Sequence, residues 1–552
     1  MDQDDANLPE TALESPRPLQ SEALFAEAML PAASLPDMAS PETLPPEAQL
    51  TTVLSPETAL PIGSSRNQGY IRRVVGATLN YGLGQSIPQV VRFVLMIAVF
   101  TRILSPKDYG IIELANYFSG FLLMPMRWGV PGAVTRFYYD YPEGPSLKDY
   151  VTTIAWFVLI CSVAVALAAF AIGPWLLGHL IPGLPFVPFA VLSILSALLT
   201  CNSELQNRLV QAREQSSYAA RLNLGRASIS IVLAVTFVAV LHWGAAGMLS
   251  AEVASYGVLS LVAAYYLRSD LTGRFRRPML RSSLAYGAAM MPGDFADSLT
   301  PLVTRGILTK VDSLDATGVL GIATRFTQPL TILAVAFQTA FNPIYYSMRK
   351  ESTAAVMHRL AVTARNVWAL AIFGALGVAL LGPSVIVLML PSDYHAAAAL
   401  LPIMVVRFLG MVMACLFAPE IYYSKQTWWV PVIAYSAAAM DVTVSALTVG
   451  RFGAAGVAWG TSARVVTSAL LFAIISMRLV KIPYPWFSLL RISLCGAAAA
   501  SALIWISYKG GIAEIGIGVL AIGLFPILLW MTGDSSVREG LHLLRRQVAK
   551  VF

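Results

Sequence analysis

Gly244-Ala245-Ala246-Gly247 opens an apolar run that ends at Leu267, and Gly453-Ala454-Ala455-Gly456 opens a second that ends at residue 475. The two tetrapeptides stand 209 residues apart. Other pairs keep nearly the same spacing in the same order. Thr101-Arg102-Ile103-Leu104 answers Thr304-Arg305-Gly306-Ile307-Leu308, and Tyr109-Gly110 answers Thr317-Gly318. Tyr81-Gly82 with Pro88 answers Tyr286-Gly287 with Pro292. Each match is weak alone; their common order and offsets of 203–209 are the trace of a duplicated helical unit.

The runs between these markers decide the class. The chain has 552 residues, 57% of them hydrophobic and 12% charged, whereas soluble domains carry about 25% charged residues. Apolar stretches of about 20 residues, long enough to cross a bilayer core of about 30 Å, recur along most of the chain. They are continuous and do not alternate residue by residue, so they read as helices and not as barrel strands. The expectation is an all-α polytopic membrane protein with spans at 77–100, 111–134, 151–172, 186–207, 219–241, 246–267, 282–303, 317–340, 365–388, 397–419, 428–449, 454–476, 487–507 and 512–531, about 14 transmembrane helices.

Residues 1–66 differ from the rest. They hold eleven acidic and two basic residues with many prolines. Such a composition buries too little apolar surface to offset its ordering entropy, which predicts a disordered acidic cytoplasmic tail. The segment lacks the basic start and apolar core of a secretory signal. The remaining chain has 36 basic and 20 acidic residues, a net charge of +16 that the tail conceals.

Lys and Arg alone orient the spans. With the N-terminus in the cytoplasm, 25 basic residues from Arg66 onward fall on the cytoplasmic side. Six fall opposite: Arg102, Lys107, Arg305, Lys310, Arg451 and Lys509. Both termini are therefore expected inside. The loops are short, which excludes a large external catalytic domain, and no GxxxxGK[ST] loop is present for ATP binding. No nucleic-acid partner, cofactor or metal is expected. Cys161, Cys201, Cys415 and Cys495 lie in or beside apolar runs, and the five histidines have no metal-ligand spacing.

The duplication divides the chain into an N-lobe (67–270, helices 1–6), a C-lobe (271–481, helices 7–12), an added helix pair (482–532) and a basic cytoplasmic tail (533–552). Six spans is an even number, so both copies enter from the same side and form a parallel repeat about the membrane normal. Two such lobes leave a cleft between them.

Charges within spans mark that cleft, because a lipid-facing charge at the bilayer centre costs at least about 2.5–3.5 kcal/mol. Arg226 is near a helix end, where its head reaches water. Arg92, Arg127, Arg325, Arg407 and Arg464 sit deeper and are the candidate substrate contacts. Asp294 and Asp297, three apart on one helix face, are candidates for ion coupling or gating. Repeat alignment sets Arg92 opposite Asp297, which admits an ion pair or an arginine free to meet anionic substrate. Five arginines against two central aspartates favour a cationic cleft. A guanidinium fork suits phosphate oxygens, and a pyrophosphate attached to a lipid fits that chemistry. Pro88 and Pro292 recur in the repeat and suggest bent helices lining the cleft. The Gly-Ala-Ala-Gly segments are expected to serve tight turns and close packing, not chemistry.

Phe100-Thr101-Arg102-Ile103-Leu104-Ser105-Pro106-Lys107-Asp108-Tyr109-Gly110 resembles the first hairpin of bacterial polysaccharide-biosynthesis flippases, within the multidrug/oligosaccharidyl-lipid/polysaccharide exporter superfamily. Both Gly-Ala-Ala-Gly segments, Pro343 with Tyr345-Tyr346, and Tyr394 with Leu401-Pro402 fit the same resemblance, which spans about 70–535. It implies a transporter, not an enzyme. Its substrate would be an undecaprenyl-diphosphate-linked oligosaccharide, crossing the bacterial inner membrane for O-antigen, capsule or exopolysaccharide assembly. Membrane lipids, a polysaccharide polymerase and chain-length machinery are the partners implied. It places family arginines in the inner halves of helices 1, 2 and 8, here Arg92, Arg127 and Arg325. The long acidic tail and the Asp294/Asp297 pair depart from the family pattern. The alternative is a cation-coupled small-molecule exporter of the same fold.

Overall fold

In the computed structural model, residues 88–532 are described, except 182, 214, 352, 481 and 503–511. The expected tails at 1–66 and 533–552 lie outside the described residues. Regular structure among the described residues is helical throughout. Helix α1 is described from residue 88 to Ile103. Then come α2 (Pro106–Arg127) with a short extension Val130–Phe137, α3 (Pro145–Leu180), α4 (Val191–Ala212), α5 (Ser216–Val235) and α6 (Gly244–Leu267). The chain continues through α7 (Arg277–Val311), α8 (Leu314–Glu351), α9 (Ala354–Met389) and α10 (Leu401–Tyr423). It ends in α11 (Trp429–Phe452), α12 (Ala454–Leu479), α13 (Trp486–Ala500) and α14 (Ile512–Met531).

Ten of these helices are long and apolar enough to cross a membrane. They are α3, α4, α5, α6, α8, α9, α10, α11, α12 and α14. Part of the expected first and thirteenth spans lies outside the described residues. Helices α2 and α7 have the length but are too polar, because Glu113, Asn116 and Arg127 interrupt one and Asp294, Asp297 and Arg305 the other. A polar helix at membrane depth must face protein or water, and both are enclosed by other helices. α2 packs on α4, α7 and α8, and α7 packs on α2, α3 and α11. α13 and α14 pack on each other and on α9.

Alternate turns gather at opposite ends of the bundle, as helices crossing in alternate directions require. At one end, a cavity of about 750 Å³ is bounded by Ser105 before α2, Asp312 and Asp315 at the α7–α8 turn, Asp393 before α10, and Gly453 at the α11–α12 turn. At the other end, Asp149 of α3 accepts hydrogen bonds from the Arg274 backbone N–H (2.6 Å) and Arg276 Nε (2.9 Å) of the α6–α7 linker. Arg213 after α4 pairs with Asp270 of the same linker.

The repeated tetrapeptides have matching geometry. Gly244 (φ 58°) and Gly453 (φ 52°) both take the left-handed conformation that glycine alone adopts cheaply. A Cβ on Gly244 would meet the Asp108 carboxylate, and one on Gly453 would meet that of Asp312. Asp108 and Asp312 are 204 apart, within the repeat offset. Each turn is thus a seat for the aspartate of a neighbouring turn. Replacing Gly453 with alanine combines the strain of its positive φ, roughly 1–3 kcal/mol, with a displaced Asp312. A lower melting temperature of the purified protein is expected; an unchanged one would contradict the seat.

Candidate functional site

Helix α2 packs on both α7 and α8 of the other half of the chain, and these contacts form two latches at its opposite ends. α2 starts with Ser105, whose hydroxyl accepts from the Asp108 N–H (3.2 Å) while Asp108 Oδ2 accepts from the Ser105 N–H (3.0 Å), so both free donors of the first turn are satisfied. One turn later, α2 crosses α8 with backbone against backbone. A Cβ on Gly110 would meet Leu314 O, and a Cβ on Gly318 would meet Pro106 O. Gly110 and Gly318 are repeat equivalents, 208 apart, as are Pro106 and Leu314. The contact is therefore self-complementary, the pattern of a two-fold axis. Beside it, Arg325 Nη2 of α8 donates to Glu113 Oε1 of α2 at 2.7 Å. Gly321 makes room, since a Cβ there would run into Glu113 Cγ and Cδ. The Arg325 guanidinium lies 5.3 Å from the ring centre of buried Tyr109.

The second latch closes the far end of α2. Arg127 Nη2 donates to Asp294 Oδ2 of α7 at 3.1 Å, and its Nη1 lies 3.5 Å from Glu204 Oε2 of α4. The next residues, Trp128 (φ 46°) and Gly129 (φ 66°), are both left-handed and break the helix before Val130. A Cβ on Gly129 would meet the Gly287 backbone of α7, and one on Gly287 would meet Trp128 O. Each end of α2 thus carries a glycine contact and an arginine–carboxylate pair.

A third group lies in the C-terminal half. Arg305 of α7 is only 5% exposed. Its Nη1 donates to Thr304 Oγ1 (3.1 Å) and Thr461 Oγ1 of α12 (3.4 Å), and its guanidinium lies 5.1 Å from the Tyr117 ring centre. Arg407 of α10 lies where that helix runs against α12: the Ser462 hydroxyl donates to Ile403 O (2.9 Å) one turn before it, and a Cβ on Gly410 would meet the Val465 backbone just after it. Asp441 of α11 is 1% exposed and accepts the Ser445 hydroxyl at 3.2 Å. Arg464 of α12 pairs with Asp297.

Three expectations change. Arg92 is hydrogen-bonded to Ser230 of α5 (2.9 Å), while Asp297 takes Arg464, so Arg92 and Asp297 are not paired. Arg127 and Arg325 do not share one half: their anchors on α2, Glu113 and Arg127, are 14 residues and about 21 Å apart at 1.5 Å per residue. Nor do the five arginines line one cationic cleft. Arg127 and Arg325 are matched by Glu113, Glu204 and Asp294, and the surplus positive charge collects around Arg305, Arg407 and Arg464. Arg305, expected in a loop, is inside α7 because that helix runs on to Val311. Asp294 and Asp297 share a helix face but bind arginines of different helices, α2 and α12.

Comparison with known proteins bears on the fold. Residues 75–347 match the family model described as Polysaccharide biosynthesis protein. No curated protein sequence matches significantly. Among solved structures, the chain is similar to the lipid II flippase MurJ in an inward closed conformation, with a TM-score of 0.65 at 14% identity, over 83% of this chain and 99% of that one. It is similar to an inward-facing multidrug resistance MATE family transporter of the MOP superfamily, with a TM-score of 0.58 at 16% identity, over 73% and 98% of the chains. It is also similar to a point mutant of the Vibrio cholerae MATE transporter VcmN, with a TM-score of 0.53 at 14% identity, over 76% and 99%. These neighbours are transporters, and at such identity they show the fold. Residues 75–347 of this chain are thus similar to the polysaccharide biosynthesis protein family, and the chain has the fold seen in these solved membrane transporters.

Proposed function

We propose that the protein flips a lipid-linked diphosphate oligosaccharide across the bacterial inner membrane, for O-antigen, capsule or exopolysaccharide assembly. The headgroup passes between the two lobes, 67–270 and 271–481, while the polyprenyl tail stays in the bilayer. Fourteen spans with both termini cytoplasmic give the lobes a common orientation, and helices 13 and 14 (482–532) stand outside the repeat. The polymerase and chain-length machinery are partners because they consume the product. The single observation that carries this reading is that α2 holds the lobes together through one arginine–carboxylate pair at each end.

Such pairs are exchangeable. A guanidinium that bonds a carboxylate makes the same two charge-assisted bonds to a phosphate. A diphosphate reaching Arg127 releases Asp294 and frees α2 from α7 at that end. Passage to Arg325 releases Glu113 and frees α2 from α8 at the other. The substrate therefore opens each latch by substituting for its carboxylate, and closure behind it restores the ion pair. A ligand shifts a conformational equilibrium only through such differential contacts. Arg92, on α1, receives the headgroup on the N-lobe side. Asp294 and Asp297 act as gate partners of arginines in this scheme. In the exporter alternative they would instead hold a cation.

Arg127→Ala and Arg325→Ala are the test. Each is expected to abolish surface polysaccharide while the protein stays at its normal level in the membrane. Normal display in both variants at native expression would overturn the proposal.

A further inference from the structure

Arg407 stands apart from the other four arginines expected in the cleft and from Arg305. It is on α10 at membrane depth, and it has no hydrogen-bond or ion-pair partner among the described residues. Arg127, Arg325 and Arg464 each hold a carboxylate, and Arg92 and Arg305 hold hydroxyls. A guanidinium carries five N–H donors and keeps its charge. Arg407 is half-buried and none of its nitrogens is fully enclosed, so they open on space that an acceptor can enter.

Its surroundings add positive charge. α10 runs against α12 here, with Ile403 O accepting from the Ser462 hydroxyl and Gly410 pressed on the Val465 backbone, so Arg407 stands beside the α12 turn that carries Arg464. The same stretch of α12 meets Arg305 through Thr461 and Asp441 through Gly460, and Arg305 lies over the Tyr117 ring of α2. Asp441 is fixed elsewhere: it takes the Ser445 hydroxyl, and α12 presses on it through Gly460, where a Cβ would lie 2.9 Å from Asp441 Oδ1. Asp297 is taken by Arg464, although its side chain is 68% exposed. Three positive charges therefore meet two negative ones, and the one left over is that of Arg407.

We propose that Arg305, Arg407 and Arg464, backed by Tyr117, form a phosphate-class oxyanion site inside the C-terminal half, distinct from the two α2 latches. An oxyanion supplies the acceptors that Arg407 lacks and brings the group towards neutrality. Planar guanidinium forks suit the tetrahedral phosphate oxygens. Asp297, being exposed, is the carboxylate that yields when the anion engages Arg464. The same chemistry is offered by free inorganic phosphate or pyrophosphate and by the diphosphate of a prenyl lipid. This site rests on side-chain geometry and does not require that the protein flip anything.

The test is binding to the full-length protein in lipid nanodiscs, at fixed ionic strength with chloride as the background anion. Inorganic pyrophosphate is the probe, read by calorimetry and by the shift in melting temperature. Wild type is expected to bind and to gain thermal stability. Arg407→Gln and Arg305→Gln are expected to weaken binding about tenfold or more, the loss of one or two charge-assisted hydrogen bonds. Arg136→Gln, a charge change at the far end beside Asp140, leaves binding unchanged. Asp297→Asn frees Arg464 and tightens binding, a gain that a misfolded variant cannot mimic. Competition by a short-chain prenyl diphosphate would identify the lipid headgroup as the natural source; binding of pyrophosphate without such competition would identify a free anion. No heat and no shift in wild type, or equal binding by Arg407→Gln, would overturn the proposal.

Discussion

Arg349→Ala is expected to lose about 3 kcal/mol of stability, close to the lower end of the range for breaking a buried ion pair. Glu420, at the end of α10, has 0% exposure. Its carboxylate accepts from Arg349 Nε (3.0 Å) and Nη2 (3.3 Å), from the Tyr345 hydroxyl (2.5 Å) and from the Ser424 hydroxyl (2.7 Å). Two neutral hydroxyls remain in the variant, but the counter-charge does not. An enclosed carboxylate without a cation is the costly state, more costly than having neither partner. The double variant Arg349→Met with Glu420→Met is therefore expected to recover most of the loss. Melting temperatures of the purified proteins decide it. An Arg349→Ala protein as stable as wild type, or a double variant worse than the single one, would contradict the assignment. The bond ties α8 to α10, so its loss weakens the C-terminal half without touching either α2 latch.

Gly318→Val is expected to prevent closure at the Glu113–Arg325 end. The atoms that an added side chain meets, Pro106 O and Gly110 N at 2.8 Å, are backbone and cannot swing aside. Without a hydrophobic force between helices in lipid, small residues that let backbones touch are what hold such crossings together. Overpacking of this kind costs about 1–3 kcal/mol, which lowers the closed-to-open ratio about 5- to 150-fold. A cysteine placed at buried Thr317 reports it. Its reaction with a membrane-impermeant maleimide is expected to quicken by about the same factor in the Gly318→Val background. Display of surface polysaccharide is expected to fall with it. An unchanged labelling rate would mean that this crossing is not a gate.

What can be read from the sequence and what cannot divide along a physical line. The Gly-Ala-Ala-Gly repeats announce the turns, because a left-handed backbone demands glycine locally. The long apolar runs announce most helices, since length and hydrophobicity need no tertiary context. α2 and α7 are weak apolar signals and carry the ion pairs across the bundle, for one reason: Glu113, Arg127, Asp294 and Asp297 lower their hydropathy because these residues face protein partners. Partner identity is beyond reach. Glu113 and Glu204 stand near expected span ends, and only the crossing of α2 with α4 and α8 reveals what they meet. Arg305 follows a span expected to end at 303 and so reads as a loop charge, whereas α7 continues through it. The repeat contains one usable signal for the α2–α8 contact: Tyr109-Gly110 and Thr317-Gly318 are matched glycines, and matched positions on a two-fold axis touch.

The most direct measurement is translocation in reconstituted vesicles. Proteoliposomes would carry a fluorescent oligosaccharide on a polyprenyl diphosphate, with an impermeant quencher added outside. Wild-type protein is expected to make nearly all of the label quenchable, at a rate proportional to protein content, and Arg127→Ala and Arg325→Ala are expected to leave the inner-leaflet share protected. Wild-type vesicles that protect the label as well as protein-free ones, or variants as fast as wild type, would contradict the account.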